Sequence, residues 1–248
     1  MIAGQQTLLG RTMHGIRYDA IHDEIVVPHQ LGQAVLVFRG GASGEEPPIR
    51  VIQGSLTQLV APDRVDIDPV NNEILVAEED HLLVFPRETN GNAAPIRVLR
   101  TPGASYSESN VDPVRNLLVL GGNMQLNGRR ASAIMVFNRT AEGSQEPRWS
   151  IAGPRTRFSG AARMALNVER GLAFGTIRGN DVSSDQSFVG AWNYVEDRGD
   201  APPRWTIGGP NGMLRQPRGV VLDPKNKALI VSDKYLNAVL TYYFPEVF

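Results

Sequence analysis

The chain has 248 residues, no cysteine, and 25 basic against 26 acidic side chains. With 42% apolar and 21% charged residues it has the make-up of an ordinary globular protein, which excludes a disordered chain. The missing cysteine excludes a disulfide framework, thiolate catalysis and cysteine-ligated zinc, and a net charge of -1 gives no general attraction to nucleic acid or acidic lipid.

From the N-terminus, Met1-Ile2-Ala3-Gly4-Gln5-Gln6 lacks the basic start and apolar stretch of a signal peptide. No run approaches the roughly 18–20 apolar residues of a spanning helix. The expectation is a soluble chain with no membrane partner and an unassigned compartment; export would need a leader upstream of Met1.

The next feature is self-similarity. Gly15-Ile16-Arg17-Tyr18-Asp19 leads to Asp23-Glu24-Ile25-Val26-Val27, and Arg64-Val65-Asp66-Ile67-Asp68 leads to Asn72-Glu73-Ile74-Leu75-Val76. The frame returns around Asp112, Asn167 and Asp223, so the anchors Asp19, Asp68, Asp112, Asn167 and Asp223 follow one another at 49, 44, 55 and 56 residues. Farther along each unit an aromatic residue, Phe38, Phe85 or Phe137, precedes Pro48, Pro95 or Pro147, with Trp192 and Tyr194 flanking the matching place before Pro203. Each proline opens a short run such as Pro48-Ile49-Arg50-Val51-Ile52 or Pro203-Arg204-Trp205-Thr206-Ile207.

Four short strands per unit follow. The first ends at the anchor, the second is the apolar run after a tight turn, the third ends near the aromatic, and the fourth starts at the proline. The second and third are apolar nearly throughout, which predicts that both their faces are covered; the fourth is more polar and suits an edge, where a leading proline is tolerated. With 25 glycines and 17 prolines at short intervals, helix is disfavoured. The predicted fold is all-β, a β-propeller of four-stranded antiparallel blades, five in this chain. The repeats run approximately 5–54, 55–101, 102–153, 154–209 and 210–248 within one domain, with residues 1–4 closing the last blade because Ile2-Ala3-Gly4 matches Ile151-Ala152-Gly153.

Pro217-Arg218-Gly219-Val220-Val221-Leu222-Asp223, with Leu229-Ile230-Val231-Ser232-Asp233 and Asn237-Ala238-Val239-Leu240, resembles an NHL-type repeat. The third and fourth units depart from the Pro-x-Gly entry, carrying Tyr106-Ser107-Glu108 and Ala161-Ala162-Arg163 there. The resemblance implies a propeller with six blades as the common number. The chain is then either a five-bladed ring with a short clasp or part of a six-bladed parent whose first blade lies upstream.

Two insertions, Gly121–Arg130 and Arg178–Gln186, are expected to enlarge second-to-third loops on one face. In the inner strands, alternation turns Arg17, Arg64, Asp66, Glu108, Asn110 and Arg163 toward an axial channel, either as a ligand-binding lining or as a structural ring pairing Arg64 with Asp66 or Glu108. Arginine outnumbers lysine 22 to 3, and Arg129, Arg130, Arg178 and Arg218 join the same expected face, whereas Glu78, Glu79 and Asp80 make the second unit acidic there. Such a gradient suits an anionic glycan, a phosphorylated ligand or RNA; nucleic acid is not the expected partner.

His14, His29 and His81, with Asp80 or Glu78, are the candidates for a divalent metal, because the amidating-lyase relatives of this repeat class bind a catalytic metal through histidines near the channel. No His-x-His or His-x-x-x-His pair supports them locally, and no Ser-His-Asp arrangement or phosphate-cradling glycine loop is visible. The expectation is a binding or scaffold module without catalysis or resident cofactor, presenting its loop face to a protein, peptide or carbohydrate. The alternative is a metal-dependent lyase or lactonase-type hydrolase.

Overall fold

The computed structural model describes residues 1–11, 13–158, 163–179 and 186–248. The first repeat forms β1 (Arg17–Asp19), β2 (Glu24–His29), β3 (Ala34–Arg39) and β4 (Arg50–Gln53). The second forms β5 (Arg64–Asp68), β6 (Glu73–Ala77), β7 (Leu82–Pro86) and β8 (Arg97–Arg100). The third forms β9 (Ser105–Asp112), β10 (Leu117–Leu126), β11 (Arg129–Asn138), the two-residue β12 (Gly143–Ser144) and β13 (Trp149–Ala152). The fourth forms β14 (Met164–Asn167), β15 (Leu172–Ile177), β16 (Phe188–Asn193) and β17 (Trp205–Gly208), and the fifth β18 (Pro217–Asp223), β19 (Ala228–Asp233) and β20 (Ala238–Tyr243). Helix among the described residues is confined to single 3-10 turns. The fold is all-β, built from antiparallel blades of the β-propeller type.

The anchors explain the first turn of every repeat. Oδ1 of Asp19, Asp68, Asp112, Asn167 and Asp223 accepts the backbone N–H three residues on, at 2.9–3.1 Å. Four residues past the anchor the backbone turns left-handed, at Asp23, Asn72, Asn116, Gly171 and Lys227 with φ of 52–67°. Short polar residues and glycine tolerate that conformation best, and four of the five repeats place Asp, Asn or Gly there.

A second joint repeats between consecutive units. Ile52 bridges Gly91, Leu99 pairs with Gly143, and Ile151 bridges Gly199, each in parallel. Each glycine stands four residues before the repeat's proline, and at φ of 58–74° each occupies backbone space that a side chain would strain. Ile2 bridges Gly44 in the same way, so Ile2 holds the place of a fourth-strand end. A corner follows: Thr7, Thr57 and Thr156 donate their hydroxyls to the carbonyls of Gly4, Gly54 and Gly153, and accept the N–H groups of Leu9, Leu59 and Phe158. This Gly-x-x-Thr word is legible in the sequence as a turn signal that the strand pattern alone passes over.

The chain divides into two compact units, Met1–Asn116 with Arg139–Glu146, and Leu117–Asn138 with Pro147–Phe248. The first holds the sheets β1-β2-β3-β4 and β5-β6-β7-β8, with β12 added beside β8, and the strand β9. Val26, Val35, Val37 and Ile52 of the first sheet pack with Val65, Ile74, Val76, Leu83 and Phe85 of the second. At the rim, Glu24 receives Arg50 at 2.6 Å and Arg87 at 3.0 Å, and Glu73 receives Arg97 at 2.6 Å and Arg139 at 2.9 Å. Each carboxylate thereby ties the arginine of its own fourth strand to an arginine of the following repeat. These pairs hold Glu24 and Glu73 below the usual carboxylate range, against the opposing effect of burial.

The second unit holds β10, β11 and β13, the sheet β14-β15-β16-β17 and the sheet β18-β19-β20. Its cores are aromatic: Trp192 and Tyr194 are fully enclosed, and Phe158 stacks on Trp192 at 4.3 Å. Trp192 pairs with Ala173 as Phe38 pairs with Ile25, so Trp192 takes the repeat's aromatic place.

The insertion expected as a loop at Gly121–Arg130 is instead a hairpin. β10 and β11 pair without interruption from Leu117↔Asn138 to Leu126↔Arg129 and close on Asn127-Gly128, both at positive φ. Asn-Gly is the preferred two-residue hairpin turn, and the sequence carried that signal. Of the second insertion, residues 180–185 lie outside the described residues, as do Ala161 and Ala162 of the fourth repeat's entry.

Candidate functional site

The first strands of neighbouring repeats carry the polar residues that alternation turned to one side, and in the first unit they meet. Arg17 of β1 donates Nε to Asp66 of β5 at 2.8 Å and Nη2 to Glu108 of β9 at 3.0 Å. Arg64 lies with Nε 4.0 Å from the other Glu108 oxygen and donates Nη1 to the Asp63 carbonyl at 2.5 Å. Asp63 in turn pairs with His14, Nδ1 to Oδ1 at 2.5 Å. A run of polar contacts therefore leads from the half-exposed His14 to the buried Glu108.

Of the two partners expected for Arg64, the structure brings Glu108 to it and gives Asp66 to Arg17. Arg17 takes Asp66, while Arg64 faces Glu108 and Asp63. Asp63 was not among the expected residues, because the alternating count stopped four residues before the anchor.

Arg64, Asp66, Glu108 and Asn110 are all at least nine-tenths buried. Burial pushes the Glu108 carboxyl up to about 7, against the pull of Arg17 and Arg64 and with the repulsion of Asp66 and Asp63. Burial also raises Asp66, opposed by Arg17. Arg17 is raised: burial works against its charge, and the two carboxylates overcome that. The cluster thus holds a carboxyl that gains or loses its proton near neutrality.

Asn110 lies two residues along β9 from Glu108 and on the same face. Its Nδ2 is buried without a hydrogen-bond partner among the described residues, as is the Ser109 hydroxyl on the opposite face. An unsatisfied buried donor costs about 1–3 kcal/mol. A polar group delivered beside Glu108 would recover that cost.

The remaining expected residues stand apart by element. Arg129 and Arg130 open β11 at its exposed end, Arg178 follows β15, Arg218 is exposed in β18, and Arg163 precedes β14 with its N–H 3.3 Å from the Thr176 hydroxyl. All five belong to the second unit.

The histidines make separate local contacts. His29 ends β2 and accepts the Gly32 N–H at 3.1 Å, and His81 is buried beside Asp80 at 2.6 Å. Glu78, in the acidic stretch of the second repeat, gives its two oxygens to the N–H groups of Val60 and Ala61 at 3.0 and 2.9 Å. In the fifth repeat a single Asp233 oxygen, Oδ2, accepts both the Arg215 and the Gln216 N–H, at 2.7 and 2.9 Å. These carboxylates fasten the loop that enters the first strand. Among the described residues, no three His, Asp or Glu side chains are grouped to hold a metal ion.

No protein-family model matches the chain, and no curated protein matches it. Among solved structures it is similar to Kuenenia stuttgartiensis hydrazine synthase, with a TM-score of 0.64 and 13% identity. The match takes in 95% of this chain and 65% of that one, so the chain spans less than two thirds of that neighbour's length. At this identity the likeness is one of fold, and it agrees with the blades in assigning the chain to the β-propeller fold.

Proposed function

We propose that the chain is a non-catalytic binding module of the NHL-like propeller kind, which takes a protein, peptide or carbohydrate partner through the inner-strand cluster of Arg17, Arg64, Asp66, Glu108 and Asn110. One observation carries the reading: a buried, unpartnered amide donor on Asn110 lies on the same strand face as a carboxyl poised near neutrality. Hydroxyl and amide groups donate and accept at once, which suits sugars and polar peptide backbone to such a mixed lining. The Pro217-Arg218-Gly219 entry and its Asp223 anchor support the NHL-like assignment. The neighbour's enzymatic name is left with the neighbour, since only the fold is alike.

The test is calorimetric titration of the protein with neutral oligosaccharides and with unstructured polar peptides. A ligand whose affinity falls at least tenfold in Asn110→Ala and in Glu108→Gln, with the fold retained, supports the site. A ligand that binds all three proteins equally sinks it. Stoichiometric zinc or calcium in the purified protein, lost in His14→Ala or His81→Ala, would replace the reading with the lyase or lactonase one.

A further inference from the structure

The chain contains three Asn-Gly steps, Asn90-Gly91, Asn127-Gly128 and Asn211-Gly212. In such a step the backbone nitrogen after the asparagine lies within reach of the side-chain carboxamide, and glycine brings no Cβ to hinder its approach. Attack requires that nitrogen to be free of its hydrogen bond and the backbone around it to turn. The structure treats the three steps differently.

At Asn90-Gly91 the Gly91 N–H donates to the Val51 carbonyl at 2.6 Å, and Oδ1 of Asn90 accepts the Val51 N–H at 2.9 Å. Both reacting groups are held by the parallel joint between Ile52 and Gly91. At Asn211-Gly212 the Gly212 N–H donates to the Gly209 carbonyl at 2.8 Å, in a turn so close that a Cβ on Gly212 would stand 2.6 Å from the Gly208 Cα. Asn127-Gly128 closes the β10–β11 hairpin and is exposed at both residues. Among the described residues neither the Asn127 side chain nor the Gly128 N–H has a hydrogen-bond partner, and nothing lies within 4 Å of the place a Gly128 Cβ would take. β13 flanks β11 only from Ala133 to Val136, so the rungs from Asn123↔Ser132 to Leu126↔Arg129 have no further strand outside β11 among the described residues. Such an end opens at little cost.

We infer that Asn127 is a site of spontaneous covalent modification, which proceeds through a succinimide formed with the Gly128 nitrogen and unmakes the hairpin tip. The Gly128 nitrogen bonds to the Asn127 Cγ; the Cγ–Nδ2 bond breaks, and the side-chain nitrogen leaves as ammonia with the Gly128 amide proton. Water then adds to one of the two imide carbonyls. Opening at Cγ restores the backbone and leaves an aspartyl side chain, whereas opening at the backbone carbonyl sends the chain through Cβ and Cγ as an isoaspartyl link. Nothing is oxidised or reduced. The isoaspartyl link lengthens the main chain by one atom, which a two-residue turn with both φ values positive does not accommodate, so the closing pair Leu126↔Arg129 is lost. Either product also sets a carboxylate beside the exposed Arg129 and Arg130. The site is independent of the inner-strand cluster.

The test is peptide mapping by mass spectrometry of the intact chain aged at mildly alkaline pH, beside the same chain unfolded in urea, which gives each Asn-Gly step its own reference rate. Relative to that reference, Asn127 should convert at least tenfold faster than Asn90 and Asn211. The isoaspartyl product should appear at Asn127, resolved from the aspartyl one by chromatography. Aged wild type should exchange its Arg129 amide hydrogen faster than fresh protein, whereas Asn127→Gln, which would have to close a larger ring, should keep the fresh rate. Equal protection of the three steps in the folded chain overturns the inference, as does an aspartyl product without its isoaspartyl counterpart, since the amide is then hydrolysed directly. An Arg129 amide that stays protected in fully converted protein overturns the loss of the hairpin tip.

Discussion

Five residues past each anchor, the residue that opens the second strand is filled with opposite chemistry in the two units. In the first unit it is Glu24 and Glu73; in the second it is Leu117, Leu172 and Ala228, each 3–4% exposed. The same backbone place accepts a buried charge only where two arginines are supplied with it, Arg50 and Arg87 for Glu24, Arg97 and Arg139 for Glu73. In the second unit Arg204 pairs with the more exposed Glu196 and Asp197, while two arginines lie over rings: Arg198 stands 3.9 Å from the centre of Trp149 and Arg157 4.2 Å from that of Phe188. The first unit thus carries buried shared carboxylates and the second a fully enclosed tryptophan, so pH should act most at Glu73 and loss of volume most at Trp192.

The largest effect should come from the second unit. Trp192→Ala empties a fully enclosed site stacked with Phe158, and should cost about 4 kcal/mol in urea denaturation. Trp192→Phe refills much of the volume and deletes an indole N–H that has no partner, so it should cost about 1 kcal/mol. Equal losses for both would mean that the ring's size is not what the core requires.

In the first unit, Glu73→Gln takes the shared carboxylate from the half-buried Arg97 and Arg139, leaving Arg139 only Asp68 at 3.6 Å, at about 2 kcal/mol near neutral pH. The sign with pH follows from the lowered Glu73 value. The folded protein holds this proton less tightly than the unfolded chain, so the stabilisation is present above the ordinary carboxylate range and is lost as pH falls through the folded value. The gap between wild type and Glu73→Gln should therefore close on acidification, whereas the Trp192→Ala gap should persist. Urea midpoints of the three proteins between pH 3 and pH 7 read both.

Glu108 has the opposite sign within the same unit. Its folded value is raised from 4.5 to about 7, so stability declines as pH rises from about 4.5 through about 7 and levels off above. Glu108→Gln should abolish this decline, gaining on the wild type by about 3 kcal/mol between pH 4 and pH 8. A difference that does not change with pH would show that Glu108 titrates in the folded protein as it does in the unfolded chain.

Much of this architecture was legible because each repeat restates the same local chemistry. The anchors Asp19, Asp68, Asp112, Asn167 and Asp223 are turn caps in the structure, and a cap depends on a short side chain at a fixed offset, which a sequence displays directly. Arg17, Asp66 and Glu108 were also legible, because period-two alternation fixes the side of a strand. Of the pairs, Arg64 with Glu108 was among the expected ones, and those of Arg17 were not. Whether Arg17 or Arg64 reaches Asp66 depends on the stagger between neighbouring first strands, which leaves no trace within either strand. Glu78 misled for another reason. A carboxylate beside Glu79 and Asp80 reads as surface acid, yet its two bonds go to N–H groups of the loop at Val60 and Ala61, residues distant in sequence.

The smallest effect tests the turns that both units share. The left-handed place four residues past the anchor holds Asp23, Asn72, Asn116 and Gly171 in four repeats, but Lys227 in the fifth, at φ 52°. Lysine gains no local hydrogen bond in that conformation, whereas an asparagine side chain does, and left-handed backbone costs L-residues about 1–2 kcal/mol. Lys227→Asn should therefore stabilise the fifth sheet by about 0.5 kcal/mol, read as a small rise in the melting temperature. Asn72→Lys, the reverse exchange in the first unit, should lower it by a similar amount. If the two changes fail to mirror each other, the turn is not the same element in both units, and the first two strands of the fifth repeat are held by the packing of Val220, Leu229 and Val231 rather than by their connection.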